Sequence, residues 1–297
     1  MKFLTRLRRR IGGLIPSSAS AAATLDAALQ LELSRELSRL QGELRASMPH
    51  NPGSRGFKVY SQSDEDGILE DICSRLGVES GAFAEIGCGD GRENNTHYLL
   101  LKGWRGVWID ADSSNIRAIR AALPASSRLR VIEAMVTRES VVQTLQPAVA
   151  SLGSALDLLS IDIDGNDLAI ARAAIASLHP KIVVGEYNAK FPYPMVVEVA
   201  YVPQHQWHGD DYHGASLAAW IEQLAPQYQL VSCNLAGTNS FFVRSDLADR
   251  FQQYPPEMVY QRPRFHLTAL RAGHAPSLSH LKQVLADFPV TSGEESL

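Results

Sequence analysis

The residues best suited to chemistry fall in four places along the 297-residue chain. Glu85-x-Gly87-x-Gly89-x-Gly91 closes a short apolar run, Ala82, Phe83, Ala84 and Ile86, and glycines so spaced let the backbone approach a ligand closely. A polar cluster, Arg92 to Thr96 with Asn95 in it, leads on to Tyr98, Leu99 and Leu100. If a helix starts there, its unpaired N–H groups and positive end would face that ligand. Asp110 lies about 20 residues on, where an acid in a nucleotide-binding βαβ unit accepts hydrogen bonds from ribose hydroxyls. Asp162, Asp164 and Glu186 stand at the ends of later apolar runs and could together coordinate a divalent ion. Between Tyr187 and Ser216 the chain gathers His205, His208, Asp210, Asp211 and His213 among prolines and aromatics. His208 or His213 could take a proton from a hydroxyl.

Several other chemistries fit less well. The dinucleotide fingerprint needs a glycine where this chain has Arg92. As a calcium loop, Asp162 to Asp167 fails, because Gly165 comes too early and Ala173 stands where a bidentate Glu is needed. Two aspartates flanking one residue could serve a nucleotide-sugar transferase, but the pattern occurs at both 110–112 and 162–164. Asp112, directly before Ser113, reads as a helix cap. A lone histidine in a surface loop is by default solvated.

These groups need a scaffold, and the hydrophobic pattern supplies one. A helix with Ser61 as candidate N-cap, Ile68, Leu69, Ile72 and Leu76 as its apolar face and Gly77 as its stop precedes the first strand. Strands then alternate with helices: Gly106–Asp110, Ser113–Ala122, Leu129–Val136, Arg138–Gln146, Leu156–Ile163, Asn166–Leu178 and Lys181–Tyr187. Apolar strands alternating with helices mean a parallel sheet covered on both faces, with ligands at the carboxyl ends of the strands. The 187–216 stretch is too long for an ordinary connection and reads as a lid or acceptor-binding loop. After a helix at Ser216–Leu224, a hairpin of Gln229–Ser232 and Ser240–Val243 would complete the sheet with an antiparallel strand.

The glycine motif led by Glu85 resembles the first motif of class I S-adenosylmethionine-dependent methyltransferases. Four motifs in order narrow this: SQSDEDGI (61–68), EIGCGDG (85–91), GVWIDAD (106–112) and SIDIDGND (160–167). Over roughly residues 60–247 the chain resembles the FkbM-type methyltransferases. Asp110 and Asp164 stand where that family usually has glutamate, which keeps the carboxylates. The resemblance implies an α/β, Rossmann-like class I sheet, mostly parallel with an antiparallel last strand. It also implies S-adenosylmethionine as cofactor and O-methylation of a sugar, glycan or natural-product hydroxyl. The residues expected at the cofactor are Gln62, Glu85, Gly87, Gly89, Gly91, Asn95, Asp110 and Asp162. Those expected at the chemistry are Asp162, Glu186, His208 and His213, with Asp162, Asp164 and Glu186 as the metal ligands if a divalent ion takes part. A D-x-D glycosyltransferase and a non-catalytic cofactor-binding or scaffold domain are the alternatives.

Composition is that of a globular chain, 45% apolar and 20% charged, and a net charge of −4 gives no general reason to expect nucleic acid as a partner. Cys73, Cys88 and Cys233 lack disulfide or zinc spacing, which fits a cytoplasmic setting. Residues 1–15 mix Lys2, Arg6, Arg8, Arg9 and Arg10 with apolar residues, a composition suited to peripheral contact with the inner face of a membrane. As an export signal they have a poor apolar core, interrupted by Gly12, Gly13 and Pro16. The helix expected over 22–46 carries Leu29, Leu33, Leu37, Leu40 and Leu44 on one stripe, available for self-association or for packing on its own domain. Proline and glycine at 49–55 read as a linker. The expected organisation is therefore 1–50 basic segment and helix, 56–250 methyltransferase domain, and 251–297 accessory segment.

Overall fold

In the computed structural model, which describes residues 18–290, seven strands form one sheet. They are β1 (Ala82–Ile86), β2 (Arg105–Asp110), β3 (Leu129–Glu133), β4 (Leu158–Ile161), β5 (Ile182–Glu186), β6 (Tyr228–Cys233) and β7 (Asn239–Arg244). Their order is β3-β2-β1-β4-β5-β7-β6, parallel from β3 to β5, with β7 antiparallel to both β5 and β6. This is the expected mixed sheet with its antiparallel final hairpin. Connections from β1 run outward on one side and those from β4 on the other, so the β1–β4 junction is the topological switch point where an open α/β sheet binds ligands.

Helices cover both faces: α1 (Ser18–Ser47), α2 (Glu65–Leu76), α3 (His97–Leu101), α4 (Ser113–Ala122), α5 (Val141–Ala150), α6 (Asp167–Leu178), α7 (Leu217–Leu224), α8 (Pro256–Val259) and α9 (Ser279–Ala286). Side chains alternate along a strand, so each face has its own core. Ala84, Ile109, Leu159, Val183 and Phe242 pack with α1, α5, α6 and α7. Phe83, Trp108, Leu158, Val184 and Phe241 pack with α2, α3, α4 and α9.

The helix expected after the polar cluster is present as α3, five residues long, with turns over 89–96 before it. Glu93, Asn94 and Asn95 are turn residues whose side chains compete for backbone partners. Two other expectations are corrected. The second helix starts at Glu65, with Asp64 rather than Ser61 in the capping position, although the Ser61 hydroxyl accepts from the Asp66 N–H at 3.2 Å. The 49–55 stretch is a buried 3-10 turn, Pro52–Arg55, not an open linker. Asn51 donates to the carbonyl of Val231 at 3.1 Å, and the Gly53 N–H donates to Ser232 Oγ at 3.0 Å.

The same docking settles what α1 packs against. Leu33, Leu40, Leu44 and Met48 are buried in the core, whereas Leu29 at the outer end of the stripe is 49% exposed. Gln30 donates to the carbonyl of Ala269 at 3.0 Å and accepts from the Arg271 N–H at 2.8 Å, so the C-terminal segment clasps α1. Residues 1–15, expected to contact a membrane, lie outside the described residues. Among the described residues, no helix is long and apolar enough to cross a membrane. Removing a buried leucine leaves a cavity that costs about 2–5 kcal/mol, so Leu40→Ala is expected to lower the urea midpoint clearly. A chain beginning at Gly56 is expected to melt below the full-length protein, and an unchanged melting temperature would place α1 outside the core.

Candidate functional site

The loop after β1 is shaped by side chains. Gly87 has φ +88°, and a Cβ there would lie 1.8 Å from the Asp162 carbonyl oxygen, so only glycine lets the ends of β1 and β4 meet. Gly89, at φ +56°, has nothing within 4 Å of its would-be Cβ. Gly91 instead abuts the Trp108 ring. Glu85 lies beneath, 2% exposed, accepting from the Asn95 N–H at 2.8 Å and the Thr96 hydroxyl at 2.5 Å. Thr96 in turn accepts from Trp108 Nε1 at 2.8 Å, and Asn95 Nδ2 donates to Ser160 Oγ at 3.1 Å. Burial raises the Glu85 pKa to about 7 against the pull of these donors. Glu85, Gly91 and Asn95 thus hold the loop from behind.

In front of it lies a cleft of about 700 Å³, at the carboxyl ends of β1 to β4. Gly87, Gly89, Asp110, Asp162 and Asp164 line it, as do Ala134, Met135 and Val136 beyond β3, and His205, Gln206 and Trp207 from the long loop. A cleft of this size suits a small-molecule ligand or cofactor. Asp110 accepts from the Gly89 N–H at 2.8 Å through one oxygen, and from the Asp112 N–H at 2.8 Å and Asn115 Nδ2 at 3.2 Å through the other. A carboxylate offers about four acceptor positions, so one remains for a hydroxyl. Asp112 caps α4 by accepting from the Ser114 N–H at 2.7 Å.

At one end of the cleft the acids converge. One carboxylate oxygen each from Asp162, Asp164 and Glu186 lies within 4.8 Å of the others. Asp167 accepts from the N–H groups of Ile163 and Gly165 at 2.8 and 2.7 Å, holding Asp164 at φ +57°, an uncommon conformation for a residue with a side chain. Burial, then the neighbouring carboxylates, pushes Asp162 and Glu186 well above the usual carboxylate range. Burial raises Asp164 as well, against the pull of His213 and His205. His213, 9% exposed, brings Nδ1 to 4.0 Å from Glu186 Oε2, and neither atom has a hydrogen-bond partner. Burial holds the His213 pKa below its ordinary value despite nearby Asp164.

The 187–216 loop is tied down at both ends of this cluster. Asn188 Nδ2 donates to the carbonyls of Asp211 and His213 at 2.9 and 3.1 Å, and Asn166 Nδ2 donates to that of Val202 at 2.8 Å. Of the expected site residues, the structure brings Gly87, Gly89, Asp110, Asp162 and Asp164 to the cleft, with Glu186 and His213 adjoining. Gln62 is exposed and is not among the residues lining the cleft, and His208 is exposed on the outer part of the loop. The histidine that lines the cleft is His205, whose ring fills the space a Cβ at Gly165 would need. Met135 and the residues beside it, read as strand from their apolar character, extend past β3 and form a cleft wall. Asn188 and Asn166 could be found as polar residues, one two positions after β5 and the other directly before α6.

Neither a family model nor a curated protein sequence matches the chain. Among solved structures it is similar to an O-methyltransferase of Bacillus cereus in complex with SAH, at 14% identity and a TM-score of 0.39, over 71% of this chain and 89% of that one. It is similar to the SAH-bound methyltransferase PaMTH1 of Podospora anserina, at 12% identity and a TM-score of 0.38, over 77% and 97%. A third likeness is to human methyltransferase-like protein 13 in complex with SAH, at 13% identity and a TM-score of 0.34, over 73% and 86%. Likenesses this distant decide nothing about chemistry, which the chain's own residues must supply.

The buried acids make stability depend on pH. Glu85 binds its proton to about pH 7 when folded and to about 4.5 ordinarily. Between those values the unfolded chain has released a proton that the folded chain keeps, so stability falls as pH rises across that window. Asp64, raised to about 7, and Asp66 and Asp167, each raised to about 6, act in the same direction. The urea midpoint is expected to be lower at pH 7.5 than at pH 5, and Glu85→Gln should shrink the difference. An undiminished difference in the variant would mean that Glu85 ionises as readily folded as unfolded.

Proposed function

We propose that the chain transfers the methyl group of S-adenosylmethionine to a hydroxyl of a sugar, glycan or natural product. The observation that carries this reading is one cleft in which a glycine loop and the Asp110 carboxylate adjoin a group of acids and a buried histidine. Asp110 would take a ribose hydroxyl, and the glycine loop, open at Gly89, would admit the methionine part. The apolar wall of Ala134, Met135 and Val136 suits the adenine. The four motifs carried in order favour an FkbM-type enzyme.

Methyl transfer needs the acceptor oxygen in line with the methyl–sulfonium bond and relieved of its proton. An oxygen lone pair forms the new bond to the methyl carbon. The carbon–sulfur bond breaks, and its electron pair returns to sulfur, leaving S-adenosylhomocysteine. The hydroxyl proton goes to His213 Nδ1, which is unpartnered and kept neutral by burial. Trp207, 45% exposed, and Tyr212, 55% exposed, offer aromatic faces for the apolar side of a sugar ring.

Binding can be read before an acceptor is known. At ligand about 100 times its dissociation constant, linkage stabilises the fold by roughly 2.7 kcal/mol, so S-adenosylhomocysteine is expected to raise the melting temperature, whereas NADH and nucleotide sugars should not. Asp110→Ala should weaken the shift and Gly89→Val should abolish it. A folded Gly89→Val protein that binds as tightly as the parent would overturn the cofactor assignment. Once an acceptor is found, His213→Ala should lose turnover while keeping the thermal shift.

A further inference from the structure

We propose that Asp162, Asp164 and Glu186 form a binding site for a divalent cation of the Mg²⁺ or Mn²⁺ type at the edge of the cleft. Around such an ion, oxygens about 2.1 Å from the metal stand about 3.0 Å apart when adjacent and about 4.2 Å when opposite. Three carboxylate oxygens already within 4.8 Å of one another need only a small inward adjustment to reach that arrangement.

Electrostatics point the same way. Three carboxylates this close repel one another, and among the described residues none of them pairs with a lysine or arginine. The ion-pair contact nearest to forming in the group, among the described residues, is His213 Nδ1 with Glu186 Oε2, at 4.0 Å and without a hydrogen bond. An unpaired charge taken out of water is costly unless a counter-charge or proton joins it. Carboxyl groups elsewhere in this fold are handled differently: Glu85, Asp66 and Asp167 each accept at least two hydrogen bonds. No donor reaches the carboxylate of Asp162 or Asp164 among the described residues, and Glu186 Oε2 is buried without a partner.

The independent observation comes from the histidines. His213 is 9% exposed, and its Nδ1 is unpartnered while facing Glu186 Oε2. His205 Nε2 is likewise buried without a partner beside Gly165. Buried polar atoms in native proteins are almost always satisfied. A hydrated cation on the three carboxylates supplies what these atoms lack, since its bound waters donate to nitrogen lone pairs while the ion itself offsets the acids. An all-oxygen set favours a hard cation over zinc, which takes nitrogen and sulfur more readily. On the methyl-transfer reading above, one coordination position would take the acceptor hydroxyl, beside the His213 nitrogen that receives its proton. Cation binding itself does not depend on that reading.

The test uses the full chain, stripped with EDTA and dialysed, and titrated with Mn²⁺ while the free-ion electron paramagnetic resonance signal is followed. One Mn²⁺ per chain is expected, displaced by excess Mg²⁺, and Asp162→Asn and Glu186→Gln should each weaken binding at least about tenfold. In EDTA both variants should melt at or above the parent, because each removes a buried carboxyl whose ionisation its neighbours oppose, yet they should lose the rise that Mn²⁺ gives the parent. This separates a lost ligand from a damaged fold. Absence of Mn²⁺ uptake at millimolar concentration, or variants that bind as tightly as the parent, would overturn the site. S-adenosylhomocysteine binding is measured on the same samples. If Mn²⁺ binds and that ligand does not, the cation site stands and the methyltransferase reading falls.

Discussion

A single carboxyl group buried under the glycine loop governs the shape of the site. Between the end of β1 and the start of α3 the backbone has no regular hydrogen-bond ladder: Gly87, Cys88 and Gly91 donate to carbonyls, and other donors are met by side chains. Glu85 takes the Asn95 N–H and the Thr96 hydroxyl, Asn94 Oδ1 takes the His97 N–H at 2.9 Å, and Asp110 takes the Gly89 N–H. His97 stacks on Tyr60 with ring centroids 3.8 Å apart and bonds the Gly91 carbonyl through Nδ1 at 2.8 Å. Remove Glu85 and two donors are stranded in a place water does not reach, which costs more than the bonds themselves contribute. The loop is preorganised by polar contacts beneath it, and its upper face is left to the cleft.

On the far side of the β1–β4 junction the logic reverses. Asp162, Asp164 and Glu186 are held by backbone constraints rather than by partners. The close contact at Gly87 fixes the main chain at Asp162, two N–H bonds to Asp167 fix Asp164, and Trp220 Nε1 donates to the Glu186 carbonyl at 2.9 Å. Positions are fixed while charges are left unresolved. That combination is unfavourable for the isolated fold and characteristic of groups kept for a ligand.

How far the sequence disclosed this depended on the kind of signal. Apolar periodicity located all five parallel strands and the final hairpin, because burial on both faces leaves little choice of residue. That Gly87, Asp110 and Asp162 reach the cleft was legible, since a strand end followed by glycine or acid has few structural uses. That Glu85 lies buried beneath the loop was not, because only the alternation of β1 turns its side chain there. His205 and His208 differ by three positions in a segment without periodicity, so nothing in the string decides which one lines the cleft. Proline and glycine at 49–55 signalled a break in the helix correctly. That Asn51 and Gly53 pair with β6 is a long-range fact no local pattern encodes.

Those long-range pairings bear on the order in which the protein is built. Asn51 reaches Val231 across 180 residues, Asp64 accepts from the Leu235 N–H across 171, and Gln30 meets Ala269 across 239. At roughly 5–20 residues per second, the ribosome needs on the order of 10–40 s to deliver the hairpin on which the early segment docks. During that interval Leu33, Leu40, Leu44 and Met48 lack the β6–β7 side of their core, while β1 to β5 emerge first. The nascent chain therefore carries an uncovered leucine stripe for most of its synthesis, which makes early chaperone engagement, rather than the chemistry of the cleft, the stage at which changes in α1 would first be felt.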